Sequence, residues 1–478
     1  MKEIFPLQGR FLNILGGSDI EKVEEATFKI LKEVGVRFDN EKVLEAFKKE
    51  GAKVEGKKVF FPRKLIIEAL EKAPSSFVLK ARDPQYDLKL GNGTIAYTNG
   101  FGATQVLDYK AKKYRPATLQ DLATFTRLAH QLDQVGYCLL QVSPQDLPKG
   151  KIDLYSTWAA LKNTTKNIHI SIQNAENLSS AMEMVDVVAQ DTPKQQYPFY
   201  SLGVTPSSPL VYSEDSCEKL LFGAQRGVPF LVVSGGIAGA TVPVTLAGAL
   251  SLQHAEVLAG ITLLQILNPG VPCIYGAFTG PMDMKNMKMS LGSPELSLLN
   301  GATAQLCRKI RVPFAYGTGG LSDAWVPGIR AGVEKTLTIL TPALAGVEVI
   351  HHGVSGLLGG ANITSYEQMM IDHEICSMVN RFCRGFEVNE KTLAYEVISQ
   401  VGAGGNFLAQ PHTAENFRSE FWLSQFFTSA DTQDLEKEDG VLDLAREKIE
   451  KFMESEKVPF VSPEISRKMD ALLPEILE

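Results

Sequence analysis

The sequence predicts a (β/α)8 TIM barrel with an N-terminal α/β cap and a C-terminal helical extension. Three observations lead to this prediction: short apolar segments recur along the centre of the chain, each has Gly, Ser or Asn near its end, and an amphipathic segment follows. The strand-like segments are 94–100, 136–143, 167–173, 198–204, 229–235, 272–278, 313–318 and 347–353. Alternating strands and helices favour a parallel sheet, and eight such units favour closure into a barrel. A doubly wound open sheet is the alternative.

Proline marks the beginning of four of these strands, at Pro198, Pro229, Pro272 and Pro313. Because proline lacks an N–H, it is tolerated at the first residue of a strand. The surrounding helices are predicted most clearly where apolar residues recur at helical spacing. These segments are 247–267, 296–310 and 331–344.

The barrel is predicted to occupy residues 91–386, between a cap of residues 1–90 and an extension of residues 387–478. The cap mixes helix-like and strand-like segments, and the extension contains a glycine-rich loop at 402–406. No low-complexity linker separates these regions, so the extension is expected to pack on the barrel. Helices are predicted at 21–34, 40–51, 62–73, 392–401 and 441–455.

The composition is typical of a soluble globular protein. Hydrophobic residues make up 44% of the chain and charged residues 22%, which is sufficient for a large core. A net charge of −7 offers no basic surface for nucleic acid. The longest apolar run, at 257–267, is too short to span a bilayer, and no secretory signal is recognised, so a cytoplasmic location is expected. The six cysteines form no CxxC pair, as expected for buried, reduced thiols.

No motif predicts a tightly bound metal, a nucleotide or a catalytic acid or base. The glycine-rich segments 234–239, 317–320 and 356–360 lack the spacing of a dinucleotide fingerprint, and no P-loop, HExxH or GxSxG pattern is present. The three glycine-rich segments lie at the carboxyl ends of predicted strands, where the active site of a barrel is found.

The sequence predicts a position at the mouth for one of two adjacent histidines and a position in the core for another. His351 and His352 end the eighth strand, and adjacent strand residues point to opposite faces, so only one of them is expected to face the mouth. His254 lies in an apolar helical segment and is expected to be a hydrogen-bonded core residue.

Aromatic and neutral polar residues cluster at the predicted strand ends, which suits a cationic, apolar ligand. Each ring that faces a quaternary ammonium contributes roughly 0.5–2 kcal/mol. Tyr97 is the strongest candidate, because Ile95, Tyr97 and Asn99 share one strand face and Asn99 is unsuited to the apolar helix layer. The alternative is that some of these rings pack between strands and helices. The candidates are Tyr97, Asn99, Phe101, Gln141, Gln173, Tyr275, Phe278, Tyr316 and Trp325.

Short segments along the second half of the chain resemble the trimethylamine methyltransferase family. They are GLSDAWVP at 320–327, AGVEK at 331–335, YEQ at 366–368, IDHE at 371–374, RFCRG at 381–385, VGAGGNFL at 401–408, QPHT at 410–413 and FW at 421–422. The resemblance covers most of the chain and implies a TIM barrel. It also implies transfer of a methyl group from an amine to the Co(I) of a separate corrinoid (cobalamin-type) protein, with no cofactor bound tightly to this chain.

The resemblance also implies a substrate class. Founding members of the family carry pyrrolysine and demethylate trimethylamine, whereas this sequence has no such residue; the corresponding position lies close to Trp325. Relatives without pyrrolysine use quaternary amines, so glycine betaine is the expected substrate, with proline betaine and carnitine as alternatives. The substrate's carboxylate needs hydrogen-bond donors, for which His351, His352, Asn99, Arg330 and backbone N–H groups are candidates.

Two other functional classes remain open from the residues alone. A barrel lyase or aldolase would need a strand-end lysine or a cluster of metal-binding acids, and neither stands out. The second class is a non-catalytic betaine-binding protein. A homo-oligomer is expected in each case.

Overall fold

The computed structural model describes residues 12–108, 111–427, 440–455 and 458–473, and the side chains of Ala315 and Tyr316 are outside the described part. The central sheet has eight strands: β1 Ala96–Thr98, β2 Val135–Tyr137, β3 Ile168–His169, β4 Tyr200–Val204, β5 Phe230–Ser234, β6 Cys273–Ala277, β7 Phe314–Thr318 and β8 Val349–His351. One helix follows each strand: α1 Leu119–Gln131, α2 Ile152–Asn163, α3 Leu178–Val188, α4 Glu214–Arg226, α5 Leu246–Leu267, α6 Pro294–Ile310, α7 Ile329–Ala345 and α8 Tyr366–Arg384.

The eight strands form a closed parallel barrel. Neighbouring strands pair in the order β3-β4-β5-β6-β7-β8-β1-β2. Closure occurs between β2 and β3, where Cys138 N donates to Asn167 O (2.8 Å) and His169 N donates to Cys138 O (2.9 Å). The predicted barrel is therefore confirmed, and the open sheet is excluded.

The predicted strand-initiating prolines lie just before their strands. Phe230 N donates to Pro272 O (2.9 Å), and Tyr275 N donates to Pro313 O (3.0 Å). Pro229, Pro272 and Pro313 thus each serve the neighbouring strand as an acceptor, and their missing N–H breaks no pairing within the sheet.

A hairpin of Phe77–Leu79 and Leu88–Leu90 closes the floor of the barrel, at the amino ends of the strands. Its leucines belong to the same buried cluster as Leu231, Ile274 and Val349, which point into the barrel. The lower half of the interior is therefore a packed core, so a ligand can enter only from the opposite end, the mouth.

The N-terminal region covers α5. Helix Gly17–Lys29 packs against α5, and Thr27 Oγ1 donates to Ser251 O (3.1 Å). Within the described residues, α5 is the one helix long and apolar enough to cross a membrane, but 89% of its apolar window is buried inside the protein. Its continuous apolar sequence thus reflects burial against the barrel on one side and against the cap on the other.

The other elements surround this barrel. The cap contains the α-helices Glu41–Lys49 and Arg63–Lys72, the π-helical turn Ile30–Val34, and the strands Val36–Phe38, Lys53–Glu55 and Lys58–Phe60, which form a sheet with Val211–Tyr212. Short 3-10 turns occur at Pro84–Tyr86, Lys149–Lys151, Ala175–Asn177, Ala189–Asp191 and Lys194–Gln196. The C-terminal helices are Glu390–Leu393, Tyr395–Val401, Pro411–Glu420, Val441–Glu454 and Pro463–Asp470. Val441–Glu454 packs on α8, and Pro463–Asp470 packs on α3.

The loops at the mouth pair into two small sheets. The first combines Gln105–Asp108 and Lys113–Pro116, which follow β1, with Leu357–Leu358 and Ile363–Thr364, which follow β8. The second combines Ile237–Ala238 after β5 with Gly280–Asp283 and Lys288–Met289 after β6. These sheets hold the rim of the mouth in a defined shape.

Candidate active site at the barrel mouth

A layer of polar side chains lies above the apolar floor of the barrel. The Tyr137 hydroxyl on β2 is hydrogen-bonded to Nε2 of His351 on β8. The His169 Nδ1 on β3 lies 3.1 Å from the Ser201 hydroxyl on β4. Strand alternation explains the layer, since the apolar neighbours of these four residues belong to the outer core cluster: Cys138, Ile168, Ile170, Tyr200, Leu202 and Ile350.

Three glycines allow close packing at the mouth end of this layer. A Cβ added at Gly203 would lie 2.8 Å from Cε1 of His169, and one at Gly276 would lie 2.6 Å from Cγ2 of Val233. Gly235 is half-buried, and a Cβ there would lie 3.5 Å from the Phe278 ring. Gly203 on β4 and Gly276 on β6 therefore let His169 and Val233 approach the neighbouring backbone closely, and Gly235, just after β5, makes room for the Phe278 ring.

Two phenylalanines and a threonine lie beside these glycines at the mouth. Phe101, just after β1, and Phe278, just after β6, are half-buried and pack on the interior cluster. Thr205, just after β4, is exposed, and its Cγ2 would lie 3.7 Å from a Cβ at Gly235. The residues at this end of the barrel interior, called the inner mouth below, are Phe101, Tyr137, His169, Ser201, Gly203, Thr205, Gly235, Gly276, Phe278 and His351.

The imidazoles of the inner mouth are uncharged near neutral pH. Burial lowers the pKa of His169 to about 4. Burial, together with the neighbouring His352 and His169, lowers the pKa of His351 well below its usual value. The inner mouth thus combines aromatic rings, neutral imidazoles and hydroxyls, which suits a ligand whose positive charge needs no counter-ion.

The prediction that Tyr97 lines the pocket is wrong. Tyr97 is fully buried behind β1, where its hydroxyl donates to Asn380 Oδ1 (2.8 Å) on α8. The register between β1 and β2 shifts between Tyr97 and Thr98, so the alternation on which the prediction rested is interrupted there. Asn380 also supplies the polar partner that makes a tyrosine hydroxyl acceptable in the helix layer.

The prediction for Tyr275 is also wrong, because its neighbour Ile274 points into the barrel and adjacent strand residues point to opposite faces. Tyr275 points outward from β6, and its hydroxyl lies 3.1 Å from Nδ1 of His254 on α5. His254 is 1% exposed, which confirms the prediction that it is a hydrogen-bonded core residue. The side chain of Tyr316 is outside the described part.

Asn99 and Gln141 lie at the mouth, but their side-chain amides form hydrogen bonds that hold the strand ends and loops together. Asn99 Nδ2 donates to Leu139 O (2.9 Å), while Leu139 N donates to Asn99 Oδ1 (2.6 Å). Gln141 accepts from Gly100 N (2.6 Å) and donates to Ser355 O (2.5 Å). Both amides are therefore used in joining the strand ends, which contradicts a substrate-binding role for Asn99.

His351 and His352 face different surroundings. The ring of His351 enters the barrel beside Tyr137, whereas His352 has a φ of 67° and lies close to Asn99 and Lys335. Burial lowers the pKa of His352 to about 3. Of the two, His351 is the one that a ligand in the barrel can meet.

Three predicted site residues lie on the rim or outside it. Arg330, at the start of α7, has a 61% exposed side chain whose Nε donates to Glu334 Oε1 (2.7 Å). Trp325 is 54% exposed, and its carbonyl accepts from the Tyr114 hydroxyl (3.0 Å). Gln173 is exposed in the loop after β3. Arg330 is thus committed to a neighbour on its own helix and lies outside the inner mouth.

Behind the mouth, buried charges hold the loops after β7 and β8. Lys335 and Asp372 form an ion pair (2.8 Å) in which both side chains are 0% exposed. Lys335 Nζ also donates to Gly320 O (2.7 Å), and Gly356 N donates to Asp372 Oδ2 (2.7 Å). The loop after β7 is therefore tied to the loop after β8.

A second carboxylate holds the same loop from its other side. Glu334 Oε2 accepts from Ser322 Oγ (2.6 Å) and from Asp323 N (2.8 Å). The residues called the loop belt below are Ser322, Asp323, Arg330, Glu334, Lys335 and Asp372. All six fall in or beside the segments that resemble the trimethylamine methyltransferase family, so these motifs shape the mouth.

Sequence reasoning missed Tyr137, Ser201, Thr205 and the inward direction of His169. The available signal was the alternation within the third and fourth strands, where isoleucines and leucines flank the polar residues. Among the described residues, no group of three or more His, Cys, Asp or Glu side chains is placed to hold a metal ion.

Comparison with known proteins relates this site to one family. The family model described as "Trimethylamine methyltransferase (MTTB)" matches residues 6–474. A glycine betaine methyltransferase of Desulfitobacterium hafniense (strain Y51) is 35% identical over 468 residues, which are 96% of this chain and 96% of that protein. The trimethylamine methyltransferase MttB of Methanosarcina barkeri is 33% identical over 477 residues, 98% of this chain and 96% of that protein.

A solved structure supports the fold alone. The monomethylamine methyltransferase MtmB of Methanosarcina barkeri superposes with a TM-score of 0.54 at 12% identity, over 94% of this chain and 90% of that one.

Proposed function

The chain belongs to the trimethylamine methyltransferase family, and from this premise we propose that it transfers a methyl group from a small quaternary amine to the Co(I) of a separate corrinoid protein. Glycine betaine is the proposed substrate, as in the Desulfitobacterium hafniense relative named for it. The sequence carries no pyrrolysine, which supports a quaternary amine over trimethylamine.

The grouping of the Phe101 and Phe278 rings with the buried imidazoles of His169 and His351 is the observation that carries this proposal. A quaternary ammonium that loses a methyl group leaves as a neutral tertiary amine, so no acid has to protonate it. The inner mouth matches this requirement, since a histidine with a pKa of about 4 holds almost no proton to give at neutral pH. Its task is to bind the cation and to orient one methyl group toward the opening.

The two ends of a betaine have separate partners in this cavity. We assign contact with the ammonium group to the rings of Phe101 and Phe278, which both pack on the interior cluster, one after β1 and the other after β6. The His169 imidazole and the hydroxyls of Ser201 and Thr205, on adjacent strands, offer hydrogen bonds to the carboxylate. These three residues take the place of Asn99, His352 and Arg330, which the sequence analysis had suggested as partners of the carboxylate.

The rim of the mouth suits a docked protein partner. Val244 after β5, Met284 and Met287 after β6, and Trp325 and Ile329 after β7 are 54–90% exposed. Apolar side chains grouped around an opening are typical of protein-binding surfaces. When bound by such a partner, the corrinoid supplies the cobalt nucleophile that accepts the methyl group. The inner mouth of this chain holds the methyl donor and excludes water from it.

The aldolase alternative finds no support in the buried lysines. Lys335 Nζ is directed at Asp372 and Gly320 O behind the barrel wall. Lys166 Nζ donates to Ala129 O (2.9 Å) and Leu132 O (2.8 Å) below β3. Neither amine faces the cavity in which a carbonyl substrate would have to bind.

A panel of methylated amines tests the proposal. The purified chain is mixed with Co(I) cobalamin and glycine betaine, proline betaine, carnitine or trimethylamine, and methylated cobalamin is followed by absorbance. We expect methylation with glycine betaine and formation of one equivalent of dimethylglycine. Methylation with trimethylamine and with none of the quaternary amines would overturn the proposed substrate class.

A further inference from the structure

The carboxylate of Glu256 lies buried behind the inner mouth, and the proposed reaction does not use it. The side chain belongs to α5, is 0% exposed and accepts three hydrogen bonds. Ser208 Oγ (2.8 Å) and Leu210 N (2.8 Å) donate from the loop after β4, and Ser234 Oγ (2.6 Å) donates from the end of β5. This one carboxylate therefore ties two neighbouring strand ends together from the helix layer.

Both strand ends that Glu256 joins carry residues of the inner mouth. Thr205 directly follows β4, and Gly235 directly follows β5. The Thr205 methyl carbon would lie 3.7 Å from a Cβ at Gly235, so the two strand ends meet at the mouth. Ser207 N donates to Val211 O (2.8 Å) and Val211 N donates to Ser207 O (3.0 Å), which closes the loop on itself. A displacement of this loop would therefore move Thr205 as well.

Leu210 gives this loop a backbone conformation that needs support from outside. Its φ of 60° lies in the left-handed region, which is unfavourable for a residue with a Cβ. Its N–H is held by Glu256, while its carbonyl accepts from Arg37 N (2.9 Å) of the cap. Two residues later, Tyr212 pairs with Phe38 in the cap sheet, and its hydroxyl donates to Glu256 O (2.8 Å). The loop is thus held between α5 and the cap.

We propose that Glu256 is a positioning residue for substrate recognition, which holds the loop after β4 so that the Thr205 hydroxyl bonds the carboxylate of the substrate. This role rests on the proposed function, in which Thr205 is one of the carboxylate partners. Glu256 itself stays on the α5 side of the barrel wall and acts only through the loop. The N-terminal cap acquires a role as well, since it supports the same loop from the outside.

Calorimetric titration with glycine betaine and with tetramethylammonium, which lacks a carboxylate, tests the role of Glu256. Glu256→Leu leaves all three donors without their acceptor and should weaken glycine betaine binding at least about 10-fold, the cost of one hydrogen bond to a charged group. The affinity for tetramethylammonium should change by less than about two-fold. Glu256→Gln should keep both affinities, because serine hydroxyls also accept and the amide can thus retain all three hydrogen bonds.

Glu348→Leu is the matched control. The Glu348 carboxylate is also buried, and it accepts from Gly91 N (2.9 Å) and Gly93 N (3.2 Å) at the floor of the barrel. Its loss should destabilise the fold and leave both affinities unchanged. If Glu256→Leu does not fold, Ser208→Ala removes one donor of the loop and should weaken glycine betaine binding roughly 3-fold.

The wild type separates the positioning role from the proposed function. A wild type that binds no glycine betaine would refute the proposed function itself. If the wild type binds it, three results would each overturn the positioning role alone: unchanged affinity in Glu256→Leu or, where that variant does not fold, in Ser208→Ala; an equal loss for both ligands; or the same loss in Glu348→Leu.

Discussion

The inner mouth and the loop belt lie next to each other and use ionisable residues in opposite ways. In the inner mouth, His169 and His351 are buried without charge. In the loop belt, Lys335 and Asp372 are equally buried but pair at 2.8 Å. The comparison shows two uses of ionisable residues. The charged side chains of the loop belt fix the loops, whereas the inner mouth presents neutral side chains to a charged ligand.

The largest expected effect comes from breaking the buried pair. Asp372→Asn leaves the Lys335 ammonium without a counter-charge in a fully buried site, and breaking such a pair costs roughly 3–5 kcal/mol. Urea unfolding should show this loss as a lower midpoint. The double variant Lys335→Met/Asp372→Leu removes both charges and should recover most of the stability. A single variant as stable as the wild type would contradict the role of the belt.

Acid should destabilise the protein through the neutral histidines of the inner mouth. Between pH 6.5 and about 4, the unfolded chain binds a proton at residue 169 that the folded chain does not bind, so stability falls as the pH falls. Each such histidine contributes a slope of up to about 1.4 kcal/mol per pH unit. His169→Gln should lower the measured slope by about one proton. An unchanged slope would mean that His169 is protonated in the fold.

Removing one aromatic wall should weaken turnover while leaving the fold intact. Phe278→Ala deletes a half-buried ring at the mouth, and the loss of one cation–π contact of about 1.4 kcal/mol corresponds to roughly 10-fold in kcat/KM for glycine betaine. Tyr97→Phe is the matched control, since it removes only a hydroxyl that contacts Asn380 behind β1. Its kcat/KM should match the wild type, with a stability loss of about 1 kcal/mol. A lower kcat/KM in Tyr97→Phe, together with an unchanged kcat/KM in Phe278→Ala, would instead support the pocket predicted from the sequence.

The smallest effect is expected at the exposed edge of the belt. The Arg330 side chain is 61% exposed in its pair with Glu334, so Arg330→Ala should change the free energy of unfolding by less than about 1 kcal/mol. Its kcat/KM for glycine betaine should also stay within about two-fold of the wild type, because the guanidinium lies outside the inner mouth. A large increase in KM would return Arg330 to the substrate-binding residues.

The sequence predicted the barrel because its signal is repeated: eight strand-like segments at regular spacing agree with one another. Single side chains have no such redundancy. At Tyr97 one register shift was enough to reverse the predicted direction. At Phe278 the predicted inward direction agrees with the structure, since this ring packs on the same interior cluster as Ile274, four positions earlier.

Long-range partners were beyond the reach of sequence reasoning. Lys335 and Asp372 are 37 positions apart on two helices, and nothing local indicates that they meet. Tyr137 and His351 are separated by 214 positions and become neighbours only because β8, β1 and β2 are consecutive in the closed barrel. The motifs shared with the family include the residues of the loop belt, but they did not indicate the ion pair and the hydrogen bonds that these residues form.

Calorimetric titration of glycine betaine and of 3,3-dimethylbutanoate, the isostere that keeps the carboxylate but lacks the ammonium charge, tests the central claim most directly. The two molecules have the same shape and differ by a carbon in place of the ammonium nitrogen. The wild type should bind glycine betaine at least about 10-fold more tightly; this preference should shrink in Phe278→Ala and persist in Tyr97→Phe. Equal binding of the two compounds, or loss of the preference in Tyr97→Phe alone, would contradict recognition of a quaternary cation by the uncharged inner mouth.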